Sequence, residues 1–325
     1  MICVRLTTYN MEAITDILFN EAEHKYYDAN DHIYTSVTTL IGKYTNTFDT
    51  DFWAMYTALK ERNFKIKPEP EKQKIYIGGV GYKVATLIKD STYKHWYAEV
   101  LAKWAGLTAE ACQRGNAVHN ELEDSINLSK GDLLGTTNQL ISSNIKGKKG
   151  IYTIHDLSQT KLEEKYPQVY QRLSGYIERG FSIFAEKKVH LQEYLLAGMI
   201  DVPLLKGEYF CILDWKTNKN ELRKTAGYYK KQRIGGVLVK TDNWVETGER
   251  FKYPLDMLEA SKFNIYALQL SLYAYILEQW GYKLVEGGLE IIHFPIGKEP
   301  QLLKIPYLKE EVQLMLNHHK QTVIL

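Results

Sequence analysis

Two apolar runs, each ending in an aspartate, constrain this chain more than any other feature. Leu195-Leu196-Ala197-Gly198-Met199-Ile200 leads into Asp201, and Tyr209-Phe210-Cys211-Ile212-Leu213 leads into Asp214-Trp215-Lys216. Short apolar runs read as buried strands, and Lys206-Gly207-Glu208 between them reads as a tight turn. The pattern predicts a β-hairpin with one acid near the end of the first strand and an acid-x-lysine on the second. Side chains alternate faces along a strand, which sets Asp214 and Lys216 on the same face. Two carboxylates and an ammonium beside a buried sheet are costly unless something neutralises them. A divalent cation does so, with a water held between the lysine and a phosphate, and the expectation is a hydrolytic metal site.

The acid-x-lysine triplet alone carries little, because it starts four times, at Glu23, Glu163, Glu186 and Asp214. Glu23 lies in the polar stretch His24-Lys25-Tyr26-Tyr27, and Glu163-Glu164-Lys165 is a solvated charge run. Only the Asp214 copy ends an apolar strand and follows a second acid across a turn.

A chain of 325 residues with 45% hydrophobic and 25% charged content can bury a substantial core, as one large domain or one domain with an appendage. No apolar run approaches the ~20 residues that span a bilayer, and the first residues lack the cationic start and apolar stretch of a signal peptide. Cys3, Cys112 and Cys211 are isolated, which supports neither a disulfide framework nor a cysteine-rich metal cluster and suits a reducing compartment. The net charge of +2 points to no partner, but its distribution does. Between Lys216 and Lys240 stand eight basic residues and one acid, Glu221, with Tyr228 and Tyr229 among them and Trp244 just beyond. Cations interleaved with aromatic rings suit phosphates and stacked bases. Lys219, Lys224, Lys230, Lys231 and Arg233 are the expected nucleic-acid contacts; the alternative is a solvated loop.

Along the chain, an extended pair flanks the turn Asp28–Asp31, and a helix is expected from Ser36, a good N-cap. Residues 61–84, with Pro68, Pro70 and Gly78-Gly79, read as a loop or flap. Helical spacing covers 91–104, 108–128 and 166–187; residues 129–150 read as an exposed insertion. After the hairpin come the basic segment, a long helix over 255–280, a strand over 288–294 and a peripheral helix over 309–321. Helices before and after a central sheet indicate an α/β class. Within the second of these helices Gly115, His119 and Glu123 share one face, and the glycine leaves room for close approach of a backbone or phosphate. Gln269 and Tyr273 stand one turn apart beside the apolar stripe of the long helix; taken alone, they read as the margin of a core helix.

The order Gly115-x-x-x-His119, Gly198-x-x-Asp201, Asp214-x-Lys216, Gln269-x-x-x-Tyr273 resembles the RecB-type branch of the PD-(D/E)XK nuclease superfamily, most of all its phage and bacterial single-chain exonucleases. The resemblance covers roughly residues 105–295, with a weaker early pattern of Phe19, His24, Tyr26, Ser36-Val37-Thr38 and Phe48-Asp49. Ile200 stands where the superfamily name has proline, and the absence of four clustered cysteines sets the chain apart from the iron–sulfur subgroup. The resemblance implies a restriction-endonuclease-like core over 105–325, a central mixed β-sheet flanked by helices, with a mostly helical N-terminal extension over 1–104. It implies one or two Mg²⁺ or Mn²⁺ ions on His119, Asp201, Asp214 and the carbonyl of Trp215. Lys216 would be the catalytic lysine, with Gln269 and Tyr273 flanking the site. The activity implied is hydrolysis of DNA from its ends to leave 5′-phosphates, in the cytoplasm of a bacterial or phage-infected cell, beside a recombination or replication partner. A structure- or sequence-specific endonuclease and a non-catalytic DNA-binding module are the alternatives.

Overall fold

The computed structural model describes residues 17–21, 23, 25–129 and 155–323. The insertion expected over 129–150 lies outside them beyond Ser129, as do Cys3 and His24. In order, the elements are β1 (Leu18–Asn20), β2 (Lys25–Tyr27), β3 (Ile33–Ser36), α1 (Val37–Lys43), α2 (Thr50–Glu61), β4 (Ile66–Glu69), β5 (Lys74–Ile77), β6 (Val80–Lys83), α3 (Val84–Lys89) and α4 (Ser91–Leu128). Then follow α5 (Leu162–Lys165), α6 (Pro167–Glu178), β7 (Ser182–Ile183), β8 (Lys187–Leu191), β9 (Leu196–Ile200), β10 (Val202–Lys206) and β11 (Tyr209–Lys216). The last are β12 (Gly227–Ile234), β13 (Val237–Glu246), α7 (Lys262–Gln279), β14 (Lys283–His293), β15 (Gln301–Lys304) and α8 (Lys309–Val323). The class is mixed α/β.

Two compact units divide the chain, Met1–Thr45 with Val118–Leu325, and Asn46–Ala117. The division differs from the expected boundary at 104. Strands β1 to β3 belong with the larger unit, and the smaller one holds three strands, β4 to β6, beside its helices. Its residues 66–83, expected as a flap, form an antiparallel meander β4-β5-β6. The turn between β5 and β6 is Gly78-Gly79, both at positive φ, a two-residue hairpin signal inside alternating residues.

The larger unit holds a five-stranded mixed sheet, ordered β15-β14-β11-β10-β7, and a second five-stranded sheet, ordered β1-β2-β3-β9-β8. The predicted hairpin exists, but between different strands. β10 pairs antiparallel with β11 from Val202↔Leu213 to Lys206↔Tyr209, closed by Gly207 at φ +60°. The run through Gly198 is a separate strand, β9, which pairs with β8 and runs parallel to β3 in the other sheet. Asp201 therefore occupies the corner where the chain leaves one sheet for the other.

Alternation along β11 sorts the core. Phe210 and Ile212 join the cluster around α7, with Leu268, Leu272 and Ile276, whereas Cys211, Leu213 and Trp215 join the cluster around α6, with Val169, Leu173 and, from α4, Leu122 and Ile126. Each such fully buried side chain contributes roughly 1.5–3 kcal/mol, which fixes the strand's facing and with it the side on which Asp214 and Lys216 stand. Helix α6 ends at Glu178, well short of the expected Lys187, because Gly180 adopts φ +83° and β7 follows. Helix α7 begins later than expected, at Lys262, where the Ser261 hydroxyl accepts a hydrogen bond from the Asn264 N–H at 3.1 Å. The helix predicted at Ser36 is present, and Ser36 accepts from the Thr39 N–H at 3.0 Å.

Helix α7 and β9 meet at Gly198. A Cβ there would stand 2.6 Å from Tyr273 Cε1 and 3.2 Å from Val37 Cγ2, so only glycine admits the tyrosine ring. Gly198→Ala is expected to cost about 1–3 kcal/mol of stability through overpacking. In a Tyr273→Leu background, which removes the ring, a denaturation series should show the same change costing clearly less. Equal costs in both backgrounds would mean the ring is not what excludes a methyl group.

Candidate metal and catalytic site

The site is assembled where β9 turns into β10 and β11 ends. Asp214 is 1% exposed and Lys216 Nζ stands 2.5 Å from its Oδ2. Neither Asp214 carboxylate oxygen accepts a well-aligned hydrogen bond. Asp201, across the corner, accepts from the Trp215 N–H at 3.1 Å through Oδ2. His119, on the part of α4 that belongs to the larger unit, brings Nδ1 to 3.7 Å from the same oxygen and hydrogen-bonds the Trp215 backbone. Lys216 Nζ also lies 4.8 Å from the centroid of Tyr266 on α7, whose hydroxyl donates to Asn218 Oδ1 at 2.8 Å.

Burial, then the neighbouring Asp201 charge, pushes the Asp214 carboxyl up to about 7. Burial also raises Asp201, against the Lys216 charge and the Trp215 N–H. For Lys216 burial favours the neutral amine, but Asp214 and Asp201 outweigh it, and its affinity for the proton ends above that of an ordinary lysine. Lys216 is therefore an ammonium here, where nearby cation charge alone would have lowered its pKa. Burial, then Lys216, lowers His119, which keeps it a neutral imidazole.

The balance of charge is the informative part. A fully buried carboxylate, Asp214, and a partly buried one, Asp201, share one ammonium. At Glu290, also fully buried, the same fold places two cations, Arg172 and Lys304, on a single carboxylate. The deficit at Asp201 and Asp214 is met by a proton or by a cation. Among the described residues no three His, Cys, Asp or Glu side chains form a ready ligand cluster. A small hard cation does not need one, since Mg²⁺ is commonly held by one or two carboxylates with waters completing its shell. The donors fit such an ion: two carboxylates with only one ammonium to offset them, a backbone carbonyl at Trp215 and a neutral imidazole beside them.

Other expected residues are placed as follows. Gln269 and Tyr273 lie on α7 facing this corner, both buried, with the amide donating to the Tyr273 hydroxyl at 3.3 Å. Tyr273 is too buried to offer a face to a base; the Asp201 and Asp214 charges add to the burial that raises its hydroxyl. Lys219, Lys224, Lys230, Lys231 and Arg233 are all exposed. The basic segment is not a loop: β12 and β13 form an antiparallel ribbon from Gly227↔Glu246 to Ile234↔Val237. Tyr266 and Glu186 were not singled out from the sequence. Tyr266 lies one turn before the Gln269–Tyr273 pair on the same helix and could have been found by that spacing. Glu186, raised by burial and then by Glu123, heads an acid-x-lysine triplet, and its N–H donates to the Asp201 carbonyl at 2.9 Å. Nothing local in the sequence distinguishes it. No family model, curated protein or solved structure matches this chain.

A folded Asp214 titrating at about 7 holds its proton more tightly than the unfolded carboxyl near ~3.9. The stability this adds is full below about pH 4, declines as pH rises through about 7, and is absent above that. Measured against Asp214→Asn, which cannot ionise, cation-free wild type should lose melting temperature between about pH 4 and 7. Parallel pH profiles for the two proteins would show that Asp214 ionises without penalty.

Proposed function

We propose that the protein is a Mg²⁺- or Mn²⁺-dependent DNA nuclease with a restriction-endonuclease-like core of the PD-(D/E)XK kind, acting from DNA ends. The observation that carries this reading is a fully buried carboxylate, Asp214, and a partly buried one, Asp201, at a sheet corner with a single lysine to offset both. Further support comes from the order of elements: a helix bearing His119, a bend bearing Asp201, strand β11 bearing Asp214 and Lys216, a helix bearing Gln269 and Tyr273, and the parallel strand β14 beside β11.

Asp201, Asp214 and the Trp215 carbonyl would hold the ion, with His119 beside them. A bound divalent ion supplies Lewis-acid polarisation of the scissile phosphate and stabilises the leaving oxygen. Lys216, an ammonium in this structure, would orient the attacking water and offset phosphate charge. Tyr266, lying against Lys216, restricts where that ammonium can point. Gln269 and Tyr273 act through position: the buried pair fills the space under β9 and braces the corner that carries Asp201.

The test is a time course on end-labelled linear DNA beside a covalently closed circle. Cleavage of the linear form alone supports action at ends; cleavage of the circle would favour an endonuclease. Chelation should stop turnover, Mg²⁺ or Mn²⁺ restore it, and Ca²⁺ allow binding without cleavage, being a larger and poorer Lewis acid. Asp214→Ala should abolish cleavage yet leave DNA binding within a few-fold. Turnover in excess chelator, or by Asp214→Ala above about a tenth of wild type, would refute the metal site.

Gln269→Ala and Tyr273→Phe should lower turnover by ~10- to 100-fold at saturating metal. Tyr273→Phe keeps the ring against Gly198, so its melting temperature should stay near wild type. Full turnover together with a lowered melting temperature for both variants would reduce this face of α7 to core packing.

A further inference from the structure

The ribbon β12–β13 has a packed base and a bare tip. At the base Arg223 lies 5.5 and 5.2 Å from the ring centroids of Tyr229 and Trp244, which meet edge to face at 5.0 Å. Lys240 Nζ stands 3.8 Å from the Tyr229 centroid and 2.5 Å from Asn220 Oδ1, on the chain just leaving Lys216. Gly227 admits no side chain there, since a Cβ would stand 2.2 Å from the Val245 carbonyl. The base is thus tied to the segment that leaves the candidate site. Residues 230–236, Val239 and Lys240 are all exposed. An isolated two-stranded ribbon is marginal in water, so the tip gains most of its order when something lies against it.

The register divides the tip into two unlike faces. Lys231 pairs with Lys240 and Arg233 with Leu238, so three cations and one apolar position share one face; Gln232, Ile234, Val237 and Val239 share the other. No ion pair engages Lys231 or Arg233 among the described residues. Ile234 and Val239 are 59% and 42% exposed. Lys231 and Arg233 stand about 6.6 Å apart along the strand and present their charges in one row. One face suits a row of phosphates and the opposite face suits the flat surface of a base pair. A body between two parting strands meets both at once, whereas a single strand lying on one face meets only one.

Resting on the nuclease reading above, we propose that this ribbon is a wedge that opens the end of duplex DNA, and that the substrate is therefore duplex. Ile234 and Val239 abut the terminal base pair, while Lys231 and Arg233 follow the phosphates of the parted strand. Apolar side chains unstack base steps in this way in other settings.

The test uses the full chain and a double variant, Ile234→Ser with Val239→Ser, whose exposed positions leave the melting temperature unchanged. In Ca²⁺, wild type should brighten 2-aminopurine placed at a blunt duplex end, and the variant should not. In Mg²⁺, the variant should lose about 10-fold or more on blunt duplex, stay within about two-fold on single strands, and recover on a duplex with a mismatched, frayed end. Equal loss on both substrates, or no loss on blunt duplex, overturns the wedge. Wild type that cleaves single strands alone overturns the wedge and spares the nuclease reading. Absence of all DNA cleavage refutes the nuclease reading, and the 2-aminopurine signal in Ca²⁺ still decides the wedge.

Discussion

Asp201 and Asp214 meet at the corner between two sheets with one ammonium, Lys216, between them, and much of the larger unit is arranged to make that arrangement tolerable. Desolvating a carboxylate costs several kcal/mol unless paired. The fold shows that it can pair one fully, since Glu290 on β14 is neutralised by Arg172 and Lys304 on the far side of the same sheet. At the corner it stops one positive charge short. Local packing then does what pairing does not. The apolar run of β11 holds its facing against two core clusters, and the Trp215 N–H steadies Asp201 from the strand itself. A site held this way is preorganised for a positive charge before any ligand arrives.

Much of this was legible in the chain because the signals were local. The acid-x-lysine on an apolar strand, the Ser36 cap and the Gln269–Tyr273 spacing each depend on periodicity that a short window displays. The assignment of Leu195–Ile200 to the hairpin failed for a physical reason. Two adjacent apolar stretches interrupted by one acid look like a single strand and its partner, whereas the chain bends at Asp201 and gives each stretch to a different sheet. Sheet membership depends on partners far away in sequence, such as Thr35 beside Leu196, which no window contains. The flap reading of residues 61–84 failed differently. Pro68, Pro70 and Gly78-Gly79 all read as loop residues, whereas the glycine pair is the two-residue turn of a hairpin between alternating strands.

Residues that act through contact rather than through motif were the hardest to find. Tyr266 reaches Lys216 only because α7 crosses β11 at that height. Glu186 approaches Asp201 because β8 runs antiparallel to β9, so that its N–H meets the Asp201 carbonyl. Both are consequences of packing, and both add charge or shape to a corner whose main residues the sequence displays openly.

Gly198 connects the two levels. As a sequence feature it is one small residue in an apolar run, and its conformational freedom is not what matters, since it lies in regular strand. Its lack of a side chain lets the Tyr273 ring press against β9 just before the bend at Asp201. The ring in turn carries a hydroxyl that accepts from Gln269, filling a space that would otherwise hold a void or a water near two carboxylates. Glycine on the strand, tyrosine on the helix and glutamine one turn earlier are therefore one packing solution. A four-residue spacing on α7 makes sense only together with a missing Cβ on β9. How closely that helix approaches β9, three residues before the bend at Asp201, is set by the missing Cβ.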